Sequence, residues 1–258
     1  MRKENHRFPL RATEILATFA TLKTIKIMTT YNIIGDIHGR QSWKELVDEN
    51  CINIFLGDYF DPYEMIPFPE LERNFLEIID HKKAHPDNVI LLYGNHDYRY
   101  LPKISELSSR YDSQNASRIR FLLVEAEPLF YGVAFAIGER YLVSHAGVSR
   151  PWQMKYLPEI EDFSPSKMEK AINKLWKLSK STFGFKYNAD YLDFYGESPC
   201  HSPIWIRPES LRRHNLYKQS NVIQVVGHSQ FKAITETDGI VFVDCLGTVA
   251  DSKRIVVE

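Results

Sequence analysis

Nine side chains able to bind a metal or move a proton stand directly after short apolar runs in this chain. Asp36 and His38 lie in Gly35-Asp36-Ile37-His38-Gly39, and Asp58 and Asp61 in Gly57-Asp58-Tyr59-Phe60-Asp61. Asn95, His96 and Asp97 follow Gly94, His145 follows Ser144, and His228 follows Gly227. Carboxylate, amide oxygen and imidazole nitrogen are hard or borderline donors, a set that suits Mn, Fe or Zn better than a thiolate-seeking metal. Glycine beside such ligands lets the backbone turn sharply and leaves room for a bound anion. The chemistry implied is metal-assisted hydrolysis.

The elements that must carry these residues are strands. Tyr31–Ile34, Ile52–Leu56, Val89–Tyr93, Tyr141–Ser144 and Val222–Val226 are apolar runs of four or five residues, the signature of buried strands. In open α/β sheets, ligands bind at the carboxyl ends of such strands. Ser42-x-x-Glu45 predicts a capping box opening a short helix through Asp48. A second helix is expected over Pro69–Lys83, with Leu71, Phe75, Ile78 and Ile79 on one face. Each makes a β-α-β unit with its flanking strands. Ser117–Ala126 and Ser166–Ser181 read as further helices, the latter burying Met168, Ile172, Leu175 and Trp176. Leu129–Ile137 and Arg140–Ser144 alternate as paired strands. Ala233–Thr237, Ile240–Cys245 and Arg254–Val257 close the chain as strands, with Asp238-Gly239 as a hairpin turn. The expected fold is α/β, two packed sheets with helices outside.

Composition narrows the function. At 258 residues the chain can bury one substantial core. With 32 basic against 33 acidic side chains, no bulk field draws it to nucleic acid or an anionic membrane. No apolar run approaches the roughly 18 residues that span a bilayer. Cys51, Cys200 and Cys245 are odd in number and not in C-x-x-C spacing, which fits a reducing, cytoplasmic setting and not a disulfide scaffold. Residues 1–28 form an extension with six basic and two acidic side chains. Three readings stay open for it: a leader of transit-peptide composition, translation that begins only at Met28, or a loosely attached N-terminal extension. Residues 29–258 then form one domain, with a helical and aromatic insertion at about 151–205.

In order, GDIHG, GDYFD, GNHD, SHAG and VVGHS resemble the calcineurin-like metallophosphoesterases over roughly residues 31–247. The likeness is nearest to the branch holding serine/threonine phosphatases, bacterial and phage phosphatases and diadenosine tetraphosphate hydrolases. It implies a four-layer α-β-β-α sandwich and two divalent ions, manganese foremost, with iron or zinc as alternatives. By the resemblance, Asp36 and His38 hold the first metal and Asp58 bridges to the second, which Asn95, His145 and His228 complete. Two metals about 3.5–4 Å apart generate a hydroxide and clamp the oxygens of an in-line displacement at phosphorus. The resemblance assigns His96 to protonating the leaving oxygen or stabilising its developing charge, and Asp61 to orienting that histidine.

This chain departs from the family pattern at one position. Pro62 stands where the second motif usually continues with a phosphate-gripping arginine. Arg207, in Pro203-Ile204-Trp205-Ile206-Arg207-Pro208, resembles a phosphate-contacting arginine of the bacterial and phage members, and Arg99 beside the third motif is a further candidate alongside Asn95. Gln230 replaces the second histidine of the Gly-His-x-His found in many phosphodiesterase branches, favouring the phosphatase-like branch. The aromatics between Pro151 and Trp205 serve either as core packing or as a roof that stacks a substrate ring. The expected activity is hydrolysis of phosphomonoesters, on phosphoproteins or small molecules. Cleavage of dinucleoside polyphosphates is the enzymatic alternative, and a non-catalytic metal-binding scaffold the alternative of another class.

Overall fold

A computed structural model describes residues 28–106, 109–188, 193 and 196–257; the N-terminal extension as far as residue 27 lies outside them. The chain opens with β1 (Thr29–Ile34), α1 (Trp43–Leu46), β2 (Ile52–Phe55), α2 (Phe68–Ala84), β3 (Val89–Leu91) and α3 (Asn95–Tyr98). It continues through α4 (Ala116–Ala126), β4 (Ala134–Ile137), β5 (Tyr141–Ser144), α5 (Arg150–Tyr156), α6 (Pro165–Leu178) and α7 (Phe185–Asn188). The last elements are α8 (Pro208–His214), β6 (Ile223–Val226), β7 (Thr235–Thr237), β8 (Ile240–Phe242) and β9 (Lys253–Val257).

Two mixed sheets result. One has the order β3-β2-β1-β9, the other β4-β5-β6-β8-β7. In the first, β1, β2 and β3 run parallel and β9 pairs antiparallel to β1. In the second, β5, β6 and β8 run parallel, with β4 and β7 antiparallel at the edges. The parallel strands place all five motifs at carboxyl ends.

Alternation along each central strand builds the layers. Ile33, Ile54, Val143, Val225 and Val241 turn inward to form the core between the sheets. Their neighbours Ile34, Phe55 and Leu142 face outward into the core that holds Phe75 and Ile78 of α2 and Met168, Ile172 and Trp176 of α6. Val226, Ile240 and Phe242 pack on Leu211 of α8. The architecture is therefore the expected sandwich of two sheets with helices outside.

Local differences have local causes. Ser42 does not cap α1: it sits in helical conformation (φ −59°, ψ −20°), and its hydroxyl makes no hydrogen bond. A capping serine needs extended backbone, so the box cannot close. The helix stops at Leu46, and Asp48 instead accepts the Asn50 N–H at 2.9 Å. The strand expected from Leu129 starts only at Ala134, because Glu127–Leu129 is a 3-10 turn containing Pro128 and Gly132 bends the chain at φ +149°. The Asp238-Gly239 turn forms as read: both residues have positive φ, 52° and 73°, as a tight two-residue hairpin between β7 and β8 requires.

Candidate metal centre

The motif loops are strained in one consistent way. His38, Asp58, Asp61 and His228 all adopt positive φ, between 45° and 67°, although none is glycine. Non-glycine residues in this region cost on the order of 1 kcal/mol or more, and persist where their surroundings over-determine them. The loops also approach too closely for side chains. A Cβ on Gly57 would lie 2.2 Å from the Gly94 nitrogen, and one on Gly227 would lie 2.2 Å from Asp36 Oδ1.

That crowding gathers buried donors at one point. The donor atoms of His38, Asp58 and His96 lie within 4.8 Å of one another, as do those of Asp36, Asp58 and His145. Asp58 belongs to both groups, the placement expected of a bridging carboxylate. Asn95 Oδ1 is 2.8 Å from His145 Nε2 and 2.9 Å from His228 Nδ1, so the ligands assigned to the second metal converge as well. Asp36 stands against this second cluster: its Oδ1 is 3.7 Å from His145 Nδ1, and its carboxylate accepts the His228 N–H at 3.0–3.1 Å.

The donor set fits a pair of divalent cations. His38 Nδ1 donates to the Phe60 carbonyl at 3.0 Å and His145 Nδ1 to the Leu56 carbonyl at 2.9 Å. A carbonyl only accepts, so these bonds leave each Nε2 lone pair free to ligate, the arrangement typical of metal-binding histidines. His228 carries a buried Nε2 with no hydrogen-bond partner. Burial lowers His38 to about 4 despite the attraction of Asp58, and burial also lowers His145 and His228. All three imidazoles are thus neutral, the form that binds metal. Burial opposes ionisation of Asp58, the His96 backbone N–H at 2.7 Å favours it, and any proton on His145, His96 or His38 favours it further, so the carboxyl lies below the usual range. Asp36 is pushed up by burial and by the neighbouring Asp244 and Asp58 carboxylates.

Beside this cluster lies the acid pair. His96 Nδ1 is 2.9 Å from Asp61 Oδ2, and both side chains are buried. Tyr100 donates its hydroxyl to Asp61 Oδ1 at 2.5 Å. Arg99, expected among the phosphate-binding residues, is 1% exposed and faces inward onto this pair, with Nη2 2.5 Å from His96 Nδ1. Its Nη1 donates to the Ser109 carbonyl at 2.7 Å, and its Nε is buried without a hydrogen-bond partner. Arg207 is half-buried at the entrance to α8, and its charge helps depress His228.

Asp97 lies in the third motif with no role assigned to it there, while Asp244 and Arg110 carry no local sequence signal. Asp97 accepts the backbone N–H groups of Gly94, Asp58 and Tyr59. Asp244, just beyond β8, hydrogen-bonds Asp36, and burial raises it to about 7. Arg110 comes from a distant loop to Pro62: Nη1 donates to the Pro62 carbonyl at 3.1 Å, while the guanidinium stacks 3.9 Å from the centre of the Tyr63 ring. Gln230 is exposed and turned toward Thr248. In the aromatic segment, Trp152, Trp176 and Phe183 are buried core residues. Trp205 alone of that group has its ring beside a ligand, 6.0 Å from His228 among the described residues. Tyr191, Phe194 and Tyr195 lie outside the described residues.

Two sheets with Asp, His and Asn gathered at their parallel strand ends make a candidate metal centre. Comparison with known proteins agrees. The family profile of calcineurin-like phosphoesterases matches residues 30–232, and the chain belongs to that family. It is 29% identical over 131 residues to a serine/threonine-protein phosphatase 4 catalytic subunit of Kluyveromyces lactis, covering 47% of this chain and 40% of that protein. The same subunit of Eremothecium gossypii is 33% identical over 101 residues, covering 35% and 31%. The chain thus spans well under half the length of these curated relatives. A cold-active protein-tyrosine phosphatase of Shewanella shares the fold, with a TM-score of 0.50 at 17% identity over 89% of this chain and 75% of that one. Among the described residues no helix is long and apolar enough to cross a membrane, and Cys51, Cys200 and Cys245 are free thiols.

Proposed function

We propose that the chain is a metal-dependent phosphomonoesterase acting on phosphoproteins or small phosphate esters. The observation that carries this reading is the His96–Asp61 pair, 2.9 Å apart, at the edge of the cluster formed by Asp36, His38, Asp58, Asn95, His145 and His228. Those six residues would hold two divalent cations, manganese first among them. Such ions would supply positive charge to the phosphoryl oxygens and lower the pKa of water.

The remaining chemistry belongs to the chain. When the P–O bond to the leaving group breaks, that oxygen needs a proton. His96 supplies it from Nε2, because Nδ1 is held by Asp61. The Asp61 carboxylate, anchored by Tyr100, fixes the ring and stabilises its protonated form. Arg207 supplies a guanidinium for the phosphate from the rim, and the amide of Asn95 assists.

The test is turnover by metal-stripped protein reloaded with manganese, on an aryl phosphomonoester, a phosphopeptide and diadenosine tetraphosphate in parallel. Fast phosphate release from the first two supports the proposal. Cleavage confined to the dinucleotide replaces it with nucleotide hydrolysis. No cleavage of any of the three by protein that retains metal replaces it with a binding scaffold.

A further inference from the structure

Arg110 reaches the rim of the metal centre on a loop that is tied to the acid pair. The Ser109 carbonyl accepts from Arg99 Nη1 at 2.7 Å. The Tyr111 ring stacks on that of Tyr100 at 4.8 Å, and the Asp112 N–H donates to the Tyr100 hydroxyl at 2.8 Å. That hydroxyl in turn donates to Asp61. Ser109, Tyr111 and Asp112 are thus fastened to the frame of the site, while Arg110 between them is exposed. Its backbone is held at φ +66°, a conformation that a non-glycine residue keeps only where its neighbours impose it.

The guanidinium is braced without being neutralised. Nη1 donates to the Pro62 carbonyl at 3.1 Å, and Cζ lies 3.9 Å from the centre of the Tyr63 ring. Tyr63 is 51% exposed and stands edge-on to His38, with ring centres 4.9 Å apart. Among the described residues no carboxylate lies within ion-pair distance of Arg110, and Glu64 beside Tyr63 is paired with Arg40 at 3.1 Å. A guanidinium has five N–H donors in a fixed fork, so most of them are left for another acceptor. Holding the group still in advance removes part of the ordering cost of binding.

We propose that Arg110, braced by Pro62 and Tyr63, binds the carboxylate of an acidic side chain close to the phosphorylated residue of a phosphopeptide substrate. The guanidinium lies beside the centre and not in it: its partners are the Pro62 backbone and the Tyr63 ring, and no ligand atom. A side chain one or two positions from the phosphoresidue spans such an offset, because extended residues advance by roughly 3.3–3.6 Å each. A planar fork with free N–H groups matches a carboxylate edge. The proposal rests on the phosphomonoesterase reading and selects phosphopeptides within it.

The test uses manganese-loaded protein and phosphopeptides with a single aspartate placed from two positions before to two after the phosphoresidue. Each has an asparagine counterpart. On the best-placed aspartate, wild-type kcat/KM should exceed that of the counterpart by about tenfold, the size of one charge-assisted pair. The ratio should fall to near one in Arg110→Met. It should stay above one in Arg110→Lys, which keeps the charge but loses the fork. Inhibition by inorganic phosphate should remain within about threefold of wild type in both variants. Arg110 is exposed, so both should melt with the wild type. No preference for aspartate at any position, or one that survives Arg110→Met, overturns the proposal. Weakened inorganic phosphate binding in Arg110→Met also overturns it and moves Arg110 onto the phosphoryl group.

Binding decides the point without turnover. Labelled peptides carrying a phosphonate, whose P–C bond an esterase does not cleave, should show the same acidic preference by fluorescence anisotropy, lost in Arg110→Met. Equal wild-type affinity for acidic and neutral phosphonates overturns the subsite. If the preference holds while no phosphopeptide is hydrolysed, the phosphomonoesterase reading fails and the subsite stands.

Discussion

Asp97 Oδ2 accepts the backbone N–H of Asp58 at 2.7 Å, across 39 residues of chain. The same carboxylate takes the N–H groups of Tyr59 at 3.0 Å and Gly94 at 2.9 Å. Asp58 returns the tie, accepting the His96 N–H at 2.7 Å. The loops after β2 and β3 are thereby laced into one unit that holds Asp58 at positive φ. Removing the acceptor in Asp97→Ala strands three buried donors, each worth about 1–3 kcal/mol when unmet. The variant should lose about 3 kcal/mol or more in urea unfolding and bind metal more weakly by calorimetry. Unfolding and metal affinity equal to wild type would show that the lacing is dispensable.

His96→Ala separates chemistry from binding. The residue is read as a proton donor outside the metal set, so metal content measured by atomic emission should be unchanged. Turnover on a phosphomonoester with a poor leaving group should drop by roughly 10²-fold or more. A variant that keeps full activity, or that loses an equivalent of metal, contradicts that role.

Gly227 is a steric requirement of the site. A Cβ there would lie 2.2 Å from Asp36 Oδ1, and Gly227 φ is not in the left-handed region, so Gly227→Ala strains the carboxylate more than the backbone. The variant should fold, with metal affinity reduced by about tenfold or more, the size of effect seen when the groups around a ligand are disturbed. Wild-type metal affinity in a folded Gly227→Ala protein would mean that Asp36 is free to move aside.

Asp244 gives the metal-free protein a defined pH signature. Its folded-state value of about 7 lies above the usual 3.8, with burial the first cause. A raised carboxyl binds more protons folded than unfolded, so its contribution is complete below about pH 4 and is lost as pH rises through about 7. Asp244→Asn removes that loss. In chelator, the variant should gain stability relative to wild type between pH 4 and pH 8, by a few kcal/mol at most. A stability difference that is flat across that range would show that Asp244 does not titrate in this window.

Much of the site is readable before folding because it is local. The motif ligands sit within two or three residues of a strand end, where alternation and a glycine mark the turn. Ile33 and Ile34 even predict their opposite faces by adjacency alone, and Asp238-Gly239 declares its hairpin. Readings failed where local signals competed. Ser42 has the residue type of a cap but the wrong backbone angles, and Pro128 with Gly132 delays β4 although the apolar pattern begins earlier.

The residues that set the ligands' surroundings are invisible to such reading because their partners are remote. Arg99 has the composition of a surface arginine, and only packing against Asp61, 38 positions earlier, makes it a buried cation beside His96. Arg110 reaches Pro62 from 48 residues away, and Asp244 meets Asp36 from the other sheet. Sequence by itself determined which donors stand at which strand ends, since chain connectivity and side-chain alternation are properties of neighbours. Tertiary structure alone decided which nitrogens are free, which carboxylates are crowded and which cation lies behind His96. Those follow from burial and distances across the sandwich, quantities set by how the two sheets close on each other.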